Sequence, residues 1–382
     1  MFANVRRRGL LAAAAVIGLL AAGLLAVAGT GASAAAAQQQ ARVPWAHVGP
    51  GWELVQYTNG TQAKHAATTL YLISPGGAKY GLYTWRASAN FAPGLIAWSG
   101  DKTRALLYDG DSGRLGQLNL MTGKLTRLTL AGGASALGYT RPDGLNILGV
   151  RTSGPNSTLA RYSLTGKLLK AFATAGDYDN ITGAYSADGT MLAVTGDTGV
   201  RLFSNAGGMI RQLPVPGTNP AMGCSPVRWW NADTILAGCF ANPYDIMRLW
   251  LVPDSGAKPV ALTARRTPAS HDYGDLDAWR LTSGLYLQSV GACSSLEFNK
   301  QNPNGSITPV NVPGTTNADN RIVSALGPRL LIDAITSCEG SDSLLWFNPG
   351  TKAEQWLLKA PPNAFGVQAV VAYYSNENAP PR

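Results

Sequence analysis

The segment Tyr185-Ser-Ala-Asp-Gly-Thr-Met-Leu-Ala-Val194 contains the pattern that indicates the fold of this chain. An aromatic residue comes before a polar stretch, and an Asp-Gly pair is followed by an apolar run. An Asp-Gly pair between apolar runs is a strong short-range signal of a β-hairpin, because its glycine accepts a positive φ without steric cost. The segment is therefore predicted to be a tight turn that joins two antiparallel strands.

Related segments recur along the chain at an even spacing. They lie at Ala97–Tyr108, Tyr139–Val150 and Trp229–Ala237, and their turn aspartates stand at 101, 143, 188 and 233, in steps of 42, 45 and 45 residues. After most of these segments come two further strand-like runs. Four short antiparallel strands in each period of about 40 to 50 residues are typical of a β-propeller.

The best copies of the repeat resemble a known family. Ser186-Ala-Asp-Gly-x-x-Leu-Ala193 and Arg141-Pro-Asp-Gly144 resemble the repeats of TolB-like and related WD-repeat-like propellers, in which a Ser-Pro-Asp-Gly turn precedes a Leu-Ala strand. The resemblance covers roughly residues 90 to 350, and in most copies the proline is replaced. It implies a propeller in an exported bacterial protein of actinobacterial type. It implies no site residues, because the motif is turn chemistry.

The repeat predicts the number of blades and the way in which the ring closes. Six full units are predicted at 94–130, 136–174, 181–215, 224–263, 275–312 and 320–360. A first unit, beginning at Trp52, has only three strands, and the segment Val367–Tyr374 supplies its missing innermost strand. The prediction is an all-β, seven-bladed propeller over residues 51–375, followed by a disordered tail at 376–382. Six blades, eight blades or two β-sandwich domains are the alternatives.

The N-terminus has the layout of a secretory signal. Arg6-Arg7-Arg8 precede the apolar run Gly9–Ala28, and small residues suited to cleavage follow at Ala32-Ser33-Ala34. A signal peptide is predicted at 1–34, with cleavage near 34–37 and a disordered linker at 35–50. Since the apolar run also has about the 20 residues that a membrane-spanning helix needs, an uncleaved anchor is the alternative. The chain is predicted to be secreted or held in the cell envelope.

Charge indicates the class of partner. The formal net charge is +9, but the lysines and arginines are scattered and only 14% of residues are charged. A nucleic-acid binder would carry a clustered basic patch interleaved with aromatic residues, and the sequence has none. The predicted partner is a protein or a cell-envelope polymer, with membrane contact only through an uncleaved anchor, and the chain is expected to be a monomer.

The four cysteines predict two disulfides, because an even number in an exported chain indicates paired thiols. Between Cys224 and Cys239 two strand-like runs flank a turn at Asn231–Asp233, which places these cysteines opposite each other. This pattern favours a Cys224–Cys239 bridge and leaves Cys293 to pair with Cys338. The spacings do not suit a metal site.

Function is expected on one face of the ring. The turns between first and second strands lie on one face, and the loops between second and third strands and between blades lie on the other, where loop variation on a rigid scaffold usually carries function. Polar residues that fall in those loops are predicted to surround one opening: His271, Asp272, Asp275, Asp177, Asp179, Glu339 and Asp342.

Such an opening predicts a binding mouth for a cation, a cationic ligand or a sugar. His271 beside carboxylates could ligate a divalent metal or act as a general base, although loop aspartates also cap turns and a loop histidine is often simply solvated. No catalytic motif is found, so no catalytic, cofactor or metal residue is assigned. The first hypothesis is a non-catalytic propeller that binds a protein or envelope component through this face. The alternative is a hydrolase or lyase acting on a sugar or lactone.

Overall fold

The computed structural model describes most of the region that the repeat covers. The described residues are 43–59, 67–86, 93–109, 114–153, 156–176, 181–241, 246–265, 274–291, 295–316, 319–336, 342–359 and 366–372. The predicted signal peptide or anchor and the predicted tail lie outside them. Within the described ranges, none of the helical structure has the length and apolar character that a membrane crossing requires.

The described residues form 28 strands after a short 3-10 turn at Trp45–His47. In chain order the strands are β1 (Glu53–Asn59), β2 (Ala67–Ile73), β3 (Lys79–Arg86), β4 (Gly94–Trp98), β5 (Arg104–Asp109), β6 (Arg114–Asn119), β7 (Leu125–Leu128), β8 (Ser135–Tyr139), β9 (Asn146–Ser153), β10 (Asn156–Ser163), β11 (Leu168–Gly176), β12 (Gly183–Tyr185), β13 (Met191–Thr195), β14 (Gly199–Ser204), β15 (Met209–Pro214), β16 (Cys224–Asn231), β17 (Thr234–Ala241), β18 (Ile246–Pro253), β19 (Val260–Ala261), β20 (Asp275–Leu281), β21 (Gly284–Val290), β22 (Leu296–Gln301), β23 (Ile307–Pro309), β24 (Asn320–Leu326), β25 (Arg329–Ile335), β26 (Asp342–Asn348), β27 (Ala353–Leu358) and β28 (Val367–Val370).

The strands form seven antiparallel four-stranded sheets, which confirms the predicted seven-bladed propeller. Blade 1 has the order β28-β1-β2-β3, and blades 2 to 7 are the successive quartets from β4–β7 to β24–β27. The C-terminal strand therefore closes the N-terminal blade, as predicted, with Tyr57 opposite Val367 and Leu54 opposite Val370. The predicted closing strand ran to Tyr374, whereas β28 ends at Val370.

The ring has two faces, which differ in the connections between strands that they carry. The turn face carries the turns between the first (inner) and second strands of blades 2 to 7. The loop face carries the connections between second and third strands and those between blades. Each inner strand of blades 2 to 7 runs from the loop face to the turn face.

The aspartate of the repeat holds its turn through side-chain hydrogen bonds. Asp188 Oδ1 accepts a hydrogen bond from Ser186 Oγ at 2.6 Å and from the backbone N–H of Thr190 at 3.1 Å. In the corresponding turn two blades earlier, Asp101 Oδ1 likewise accepts a hydrogen bond from Ser99 Oγ at 2.6 Å. The recurrence of Ser-x-Asp in the sequence is thus explained by a self-contained turn.

The glycine of the repeat is required by the neighbouring blade. Gly189 has φ +71°, and a Cβ placed on it would lie 2.0 Å from the backbone oxygen of Arg141 in the preceding blade. A Cβ on Gly144 would likewise lie 2.8 Å from Cβ of Ser99. Successive turns therefore pack backbone against backbone around the turn face, and only glycine fits at these contacts.

Five of the seven inner strands carry a β-bulge, in which one extra residue interrupts the pairing with the second strand. The bulged residues are Ile96, Leu137, Val227, Leu276 and Val323. A bulge bends the strand and changes the direction of its side chains. These inner strands therefore deviate from regular pairing near the axis of the ring.

The hydrophobic core lies between adjacent blades and is joined by polar links. One core cluster combines Trp279 and Phe298 of blade 6 with Ile332 and Phe347 of blade 7. At the same interface Gln288 Nε2 donates to the backbone oxygen of Asn320 at 3.1 Å, and Gln288 Oε1 accepts from the N–H of Ile322 at 2.6 Å. Such satisfied buried groups fix the orientation of one blade on the next.

One of the two predicted disulfides lies in the described residues and is confirmed. Cys224 of β16 stands directly opposite Cys239 of β17, and their sulfur atoms are bonded at 2.03 Å. The bridge joins the loop-face ends of the first two strands of blade 5. Cys293 and Cys338 lie outside the described residues.

Candidate functional site

A cavity of about 520 Å³ lies on the axis of the ring at its turn-face end. All seven inner strands contribute to its wall, which places it on the axis. The wall also includes the segment Gly49–Glu53, which leads into β1, and the residues Val370–Ala372 at the end of β28. The cavity is thus built from both ends of the described chain.

Six large aromatic residues line this cavity, namely Trp52, Trp98, Tyr139, Tyr185, Trp229 and Trp279. Three of them stand two residues after a bulge, because Ile96, Leu137 and Val227 precede Trp98, Tyr139 and Trp229. Leu137 itself lines the cavity and keeps 40% of its surface exposed. The bulges therefore coincide with the part of the inner strands that forms the wall.

Glu53 is a buried carboxyl group in the wall, with only 1% of its surface exposed. Its Oε1 accepts a hydrogen bond from Ser324 Oγ at 3.1 Å, and its Oε2 has no hydrogen-bond partner among the described residues. Burial raises the pKa of Glu53 well above its ordinary value, and the bond from Ser324 only partly offsets this. The group therefore favours the neutral acid, which can donate a hydrogen bond.

Arg228 is a buried cation in the opposite part of the wall. Its Nη1 forms an ion pair with Asp277 of the next blade, and its Nη2 donates to the backbone oxygen of Ala278. The guanidinium carbon lies 3.9 Å from the ring centroid of Trp279. Burial raises the pKa of Asp277, while the charge of Arg228 acts in the opposite direction. Arg228 is thus fixed in place by three contacts across one blade interface.

Other donors in the wall are only partly satisfied by the protein. Trp229 Nε1 donates to the backbone oxygen of Ala184 at 3.0 Å. The hydroxyl group of Tyr185 and the Nε1 of Trp279 are buried and have no hydrogen-bond partner among the described residues. Burial raises the pKa of Tyr185 to about 12, so that its hydroxyl keeps its proton. An unpartnered buried polar group costs about 1 to 3 kcal/mol.

This arrangement has the character of a small-molecule site. The volume falls within the range of ligand pockets, roughly 300 to 1,000 Å³, and aromatic walls with a few polar groups are typical of them. Among the described residues, no three His, Cys, Asp or Glu side chains gather as metal ligands would. The chemistry available at the wall is hydrogen-bond donation, stacking and positive charge.

Two of the predicted mouth residues are described, and both lie at the loop face. Asp275 is buried at the start of β20 and accepts a hydrogen bond from Ser289 Oγ at 2.8 Å. Asp342, at the start of β26, is partly buried, and its Oδ2 accepts from the N–H of Val367 at 3.3 Å. The remaining five lie outside the described residues: His271, Asp272, Asp177, Asp179 and Glu339. Their convergence therefore stays a prediction.

Negative charge is concentrated at the loop-face end of blade 7. Burial and the charges of Asp342 and Asp319 together raise the pKa of Asp333 to about 7, against the opposing effect of Arg321. Burial also raises the pKa of Asp342. These carboxyl groups are destabilised in their ionised form, as Glu53 is at the turn face, but here neighbouring carboxyl groups contribute to the effect.

The residues of the cavity were not predicted as site residues, although the sequence contains a signal for some of them. Trp98, Tyr139, Tyr185 and Trp229 are the aromatic residues that stand just before the turn in successive repeats. Aromatic residues that recur at the ends of several inner strands must face the same region of the ring. The sequence has no comparable signal for Glu53, which lies outside the repeat.

The fold defines this protein as a seven-bladed β-propeller with an axial cavity at the turn face. No protein-family model matches the chain, and no curated protein sequence matches it. Solved structures are similar to it. A puromycin-hydrolysing peptidase of Mycobacterium tuberculosis superposes with a TM-score of 0.51 at 16% identity, covering 80% of this chain and 53% of the peptidase. The chain thus spans about half the length of that structure.

Two further solved structures are similar at lower scores. Virginiamycin B lyase from Staphylococcus aureus has a TM-score of 0.49 at 12% identity, covering 73% of this chain and 91% of the lyase. TolB from Acinetobacter baumannii has a TM-score of 0.41 at 10% identity, covering 83% of this chain and 82% of TolB. At these identities the similarity concerns the fold alone.

Proposed function

We propose that this protein is a non-catalytic binding propeller, exported as the sequence predicts, and that it holds a small-molecule ligand in the axial cavity at its turn face. The observation that carries the proposal is the wall of that cavity. It combines six aromatic residues with three buried hydrogen-bonding groups that have no partner among the described residues, on Glu53, Tyr185 and Trp279. A ligand that reaches those groups recovers the free energy that their burial costs.

The geometry favours binding over catalysis at this cavity. A general base works best when its pKa lies near the operating pH. Tyr185, which shares the wall with Glu53, has a pKa raised to about 12 and is far from that range. Among the described residues of the wall, Glu53 can supply a proton, whereas a hydrolase or lyase acting on a sugar or lactone also needs a group that accepts one. The enzyme alternative is therefore the weaker proposal for this site.

A second candidate function is the predicted binding of a protein or cell-envelope polymer through the loop face. The specific observation in its favour is the cluster of carboxyl groups at blade 7, where burial and neighbouring like charges raise the pKa of Asp333 to about 7. A cationic partner would lower that pKa again by pairing with the ionised groups. The two candidates occupy opposite ends of the ring and are compatible with each other.

Titration with the neutral dye N-phenyl-1-naphthylamine, followed by fluorescence, tests the first proposal. We expect saturation at one dye per chain. Replacing Leu137 by Trp adds bulk to the wall, and we expect it to weaken dye binding by about tenfold or more. Leu145→Trp is the matched control, because Leu145 belongs to the same blade, is 58% exposed and is not part of the wall.

The control should bind the dye as the unmodified protein does. Equal binding by the two variants, with unchanged melting temperatures, would show that the dye does not occupy the cavity. Absence of saturable binding in the unmodified protein would contradict the proposal directly.

A further inference from the structure

Exposed hydrophobic side chains are concentrated on one part of the rim of the ring. Of the eight large hydrophobic residues that are exposed in the described part of the chain, six lie in the outer hairpins of blades 2 to 5. An outer hairpin is the turn between the third and fourth strands of a blade, on the turn-face side, together with the start of the fourth strand. We call these four hairpins, residues 121–127, 164–170, 205–211 and 254–260, the rim band. Its exposed hydrophobic residues are Met121, Leu168, Leu169, Met209, Ile210 and Val260.

The hairpins of the rim band are in contact with one another around the ring. Lys170 of blade 3 lies against Gly207 in the hairpin of blade 4, and Arg211 of blade 4 lies against Gly256 in the hairpin of blade 5. At the other end of the band, the N–H of Ala131, which follows blade 2, donates to the backbone of the blade 3 hairpin at 2.8 Å. The exposed residues therefore belong to one continuous surface.

Two of the exposed residues occupy equivalent β-bulges. Leu169 and Ile210 are the extra residues in the outer strands β11 and β15, and they are 46% and 48% exposed. The outer strands of blades 1 and 7 also contain a bulge, but their extra residues, Leu82 and Leu357, are buried. Since exposed apolar residues on an edge strand promote aggregation, the packing of the blade does not explain them. They indicate a contact with another molecule.

The rim band also carries exposed positive charge beside its apolar residues. These hairpins contain one carboxyl residue, Asp254, which is partly buried. The two ion pairs found among the described residues involve none of the exposed cations of the band listed here. These cations are Lys124, Lys167, Lys170, Arg211 and Lys258.

The combination of aliphatic and cationic side chains suits an anionic bilayer. Binding at a membrane interface grows with buried apolar area and with attraction of lysine and arginine to anionic lipids. The anchoring residues of protein interfaces are typically tryptophan and tyrosine, whereas the exposed hydrophobic residues of the band are all aliphatic or Met. A soluble polyanion would have no use for the apolar side chains.

The described chain enters the ring at the same face. Gly49–Glu53 line the cavity at the turn-face end, and Lys102, in the first turn of blade 2, donates to the backbone oxygen of Val48. The signal peptide or anchor that the sequence predicts ahead of these residues would thus join the domain on the side of the rim band.

From these contacts we infer that the rim band is a docking surface for a lipid bilayer that contains anionic phospholipid. Its aliphatic side chains enter the interfacial region, and its lysines and Arg211 pair with lipid phosphate groups. The inference concerns the outside of the ring and does not depend on a ligand in the axial cavity.

Sedimentation with lipid vesicles tests this inference. The chain from residue 35 onward is used, because it contains every described strand and lacks the predicted signal or anchor. One set of vesicles is phosphatidylcholine, and the other is its equimolar mixture with phosphatidylglycerol. We expect the anionic vesicles to bind at least about tenfold more tightly, and high salt to weaken this binding. Equal binding to both vesicles, or to neither, would overturn the inference.

Charge reversal tests the position of the surface. Lys167→Glu with Lys170→Glu should weaken binding to the anionic vesicles by about tenfold. The matched control is Lys79→Glu with Lys352→Glu, which reverses two exposed lysines in the outer hairpins of blades 1 and 7 and changes the net charge equally. The control should lose less than about threefold, since screening limits the reach of distant charges. Equal losses would show that overall charge, and not the rim band, attracts the protein.

Removal of apolar surface separates a bilayer from other anionic partners. Leu169→Ser with Ile210→Ser keeps the charge and should weaken vesicle binding by about tenfold. Leu145→Ser is the control, because Leu145 is exposed in the first turn of blade 3, outside the band, and its variant should bind unchanged. All three leucine and isoleucine positions are exposed, so the fold should persist, which melting temperatures would verify.

Two results would assign the rim band to a different partner. If the serine double variant binds anionic vesicles as tightly as the unmodified chain and poly-glutamate competes with them, the band recognises an acidic polymer or protein. If vesicles do not bind and the chain forms a dimer that the serine double variant loses, the band joins two copies. Dye binding in the cavity is measured separately, so the failure of this inference leaves the proposed function intact.

Discussion

The two ends of this propeller are built on different principles. At the turn face, short turns repeat the same hydrogen bonds, as at Asp101 and Asp188, and the glycines pack against the preceding blade. At the loop face, the described residues include a disulfide in blade 5 and a group of mutually repelling carboxyl groups in blade 7. The turn face is thus uniform around much of the ring, whereas the loop face differs from one blade to the next.

A repeat can enclose a cavity at the face that it makes uniform. Because a loop face is free to vary, the sequence predicts function at that face. Yet the uniform face encloses the cavity, because the same repeat that specifies each turn also places an aromatic residue at the end of each of several inner strands. Residues at the same position of successive repeats meet at the axis of the ring. They can therefore line a cavity even though each of them also has a structural role in its own blade.

The largest expected effect compares one glycine from each face. Gly189→Ala at the turn face should lower the free energy of unfolding by about 4 kcal/mol, because left-handed strain adds to a collision with the backbone of Arg141. Gly217→Ala at the loop face, with φ +74° and nothing within 4 Å of the new Cβ, should cost only about 1 kcal/mol of strain. Urea denaturation of both variants measures the difference. Equal costs would show that the turns do not interlock.

Removal of the disulfide should have the next largest effect and should be confined to stability. Cys224 and Cys239 are 15 residues apart, and closing a loop of that size stabilises a protein by about 2 to 3 kcal/mol. The double variant Cys224→Ala, Cys239→Ala should lower the urea midpoint accordingly. Its affinity for N-phenyl-1-naphthylamine should stay unchanged, because the bridge lies at the opposite face. A parallel loss of dye binding would mean that the two ends are coupled.

The two smallest effects on stability are expected from replacing one aspartate on each face, Asp333 at the loop face and Asp188 at the turn face. These effects should depend on pH in opposite directions. The raised pKa of Asp333, about 7, means that its contribution to stability is present below its unfolded pKa, about 3.9, and is lost as the pH rises toward 7. Asp333→Asn should therefore raise the melting temperature by a few degrees at pH 8 and have little effect at pH 4.

For Asp188, hydrogen bonds from Ser186 and Thr190 lower the pKa, so its contribution is present above the unfolded pKa and is lost as the pH falls through its folded pKa. Asp188→Asn should cost less than about 1 kcal/mol at pH 7, and this cost should shrink as the pH falls through the folded pKa. Melting curves across this range compare the two variants. If the change in melting temperature depended on pH in the same way for both variants, the two aspartates would not differ in their electrostatic environment as proposed.

The sequence was sufficient to predict the fold because its information is local. The Asp-Gly turns, their spacing and the unpaired segment at Val367 predicted seven blades and the closing strand, and the hairpin between Cys224 and Cys239 predicted a disulfide. Each of these predictions depends either on residues that are close in the chain or on the regular spacing of the repeats along it.

The cavity could not be predicted in the same way. Glu53 meets Ser324 only because blades 1 and 7 are neighbours in the closed ring, and Arg228 meets Asp277 across another blade interface. The bulges at Ile96 and Leu137 have no distinctive residue type, since an extra residue in a strand alters pairing rather than composition. These features arise from packing between distant segments, which a pattern of turns does not contain.

The closing strand has a consequence for the biosynthesis of this protein. The cavity wall joins Gly49–Glu53, among the first described residues, to Val370–Ala372, which are the last. Since a polypeptide is synthesised from its N-terminus, six sheets can form before the strand that completes the wall exists. A chain interrupted before Gly366 would contain nearly all of the propeller and none of the finished site. The proposed ligand would then stabilise only full-length molecules, so its binding would distinguish completed chains from truncated ones.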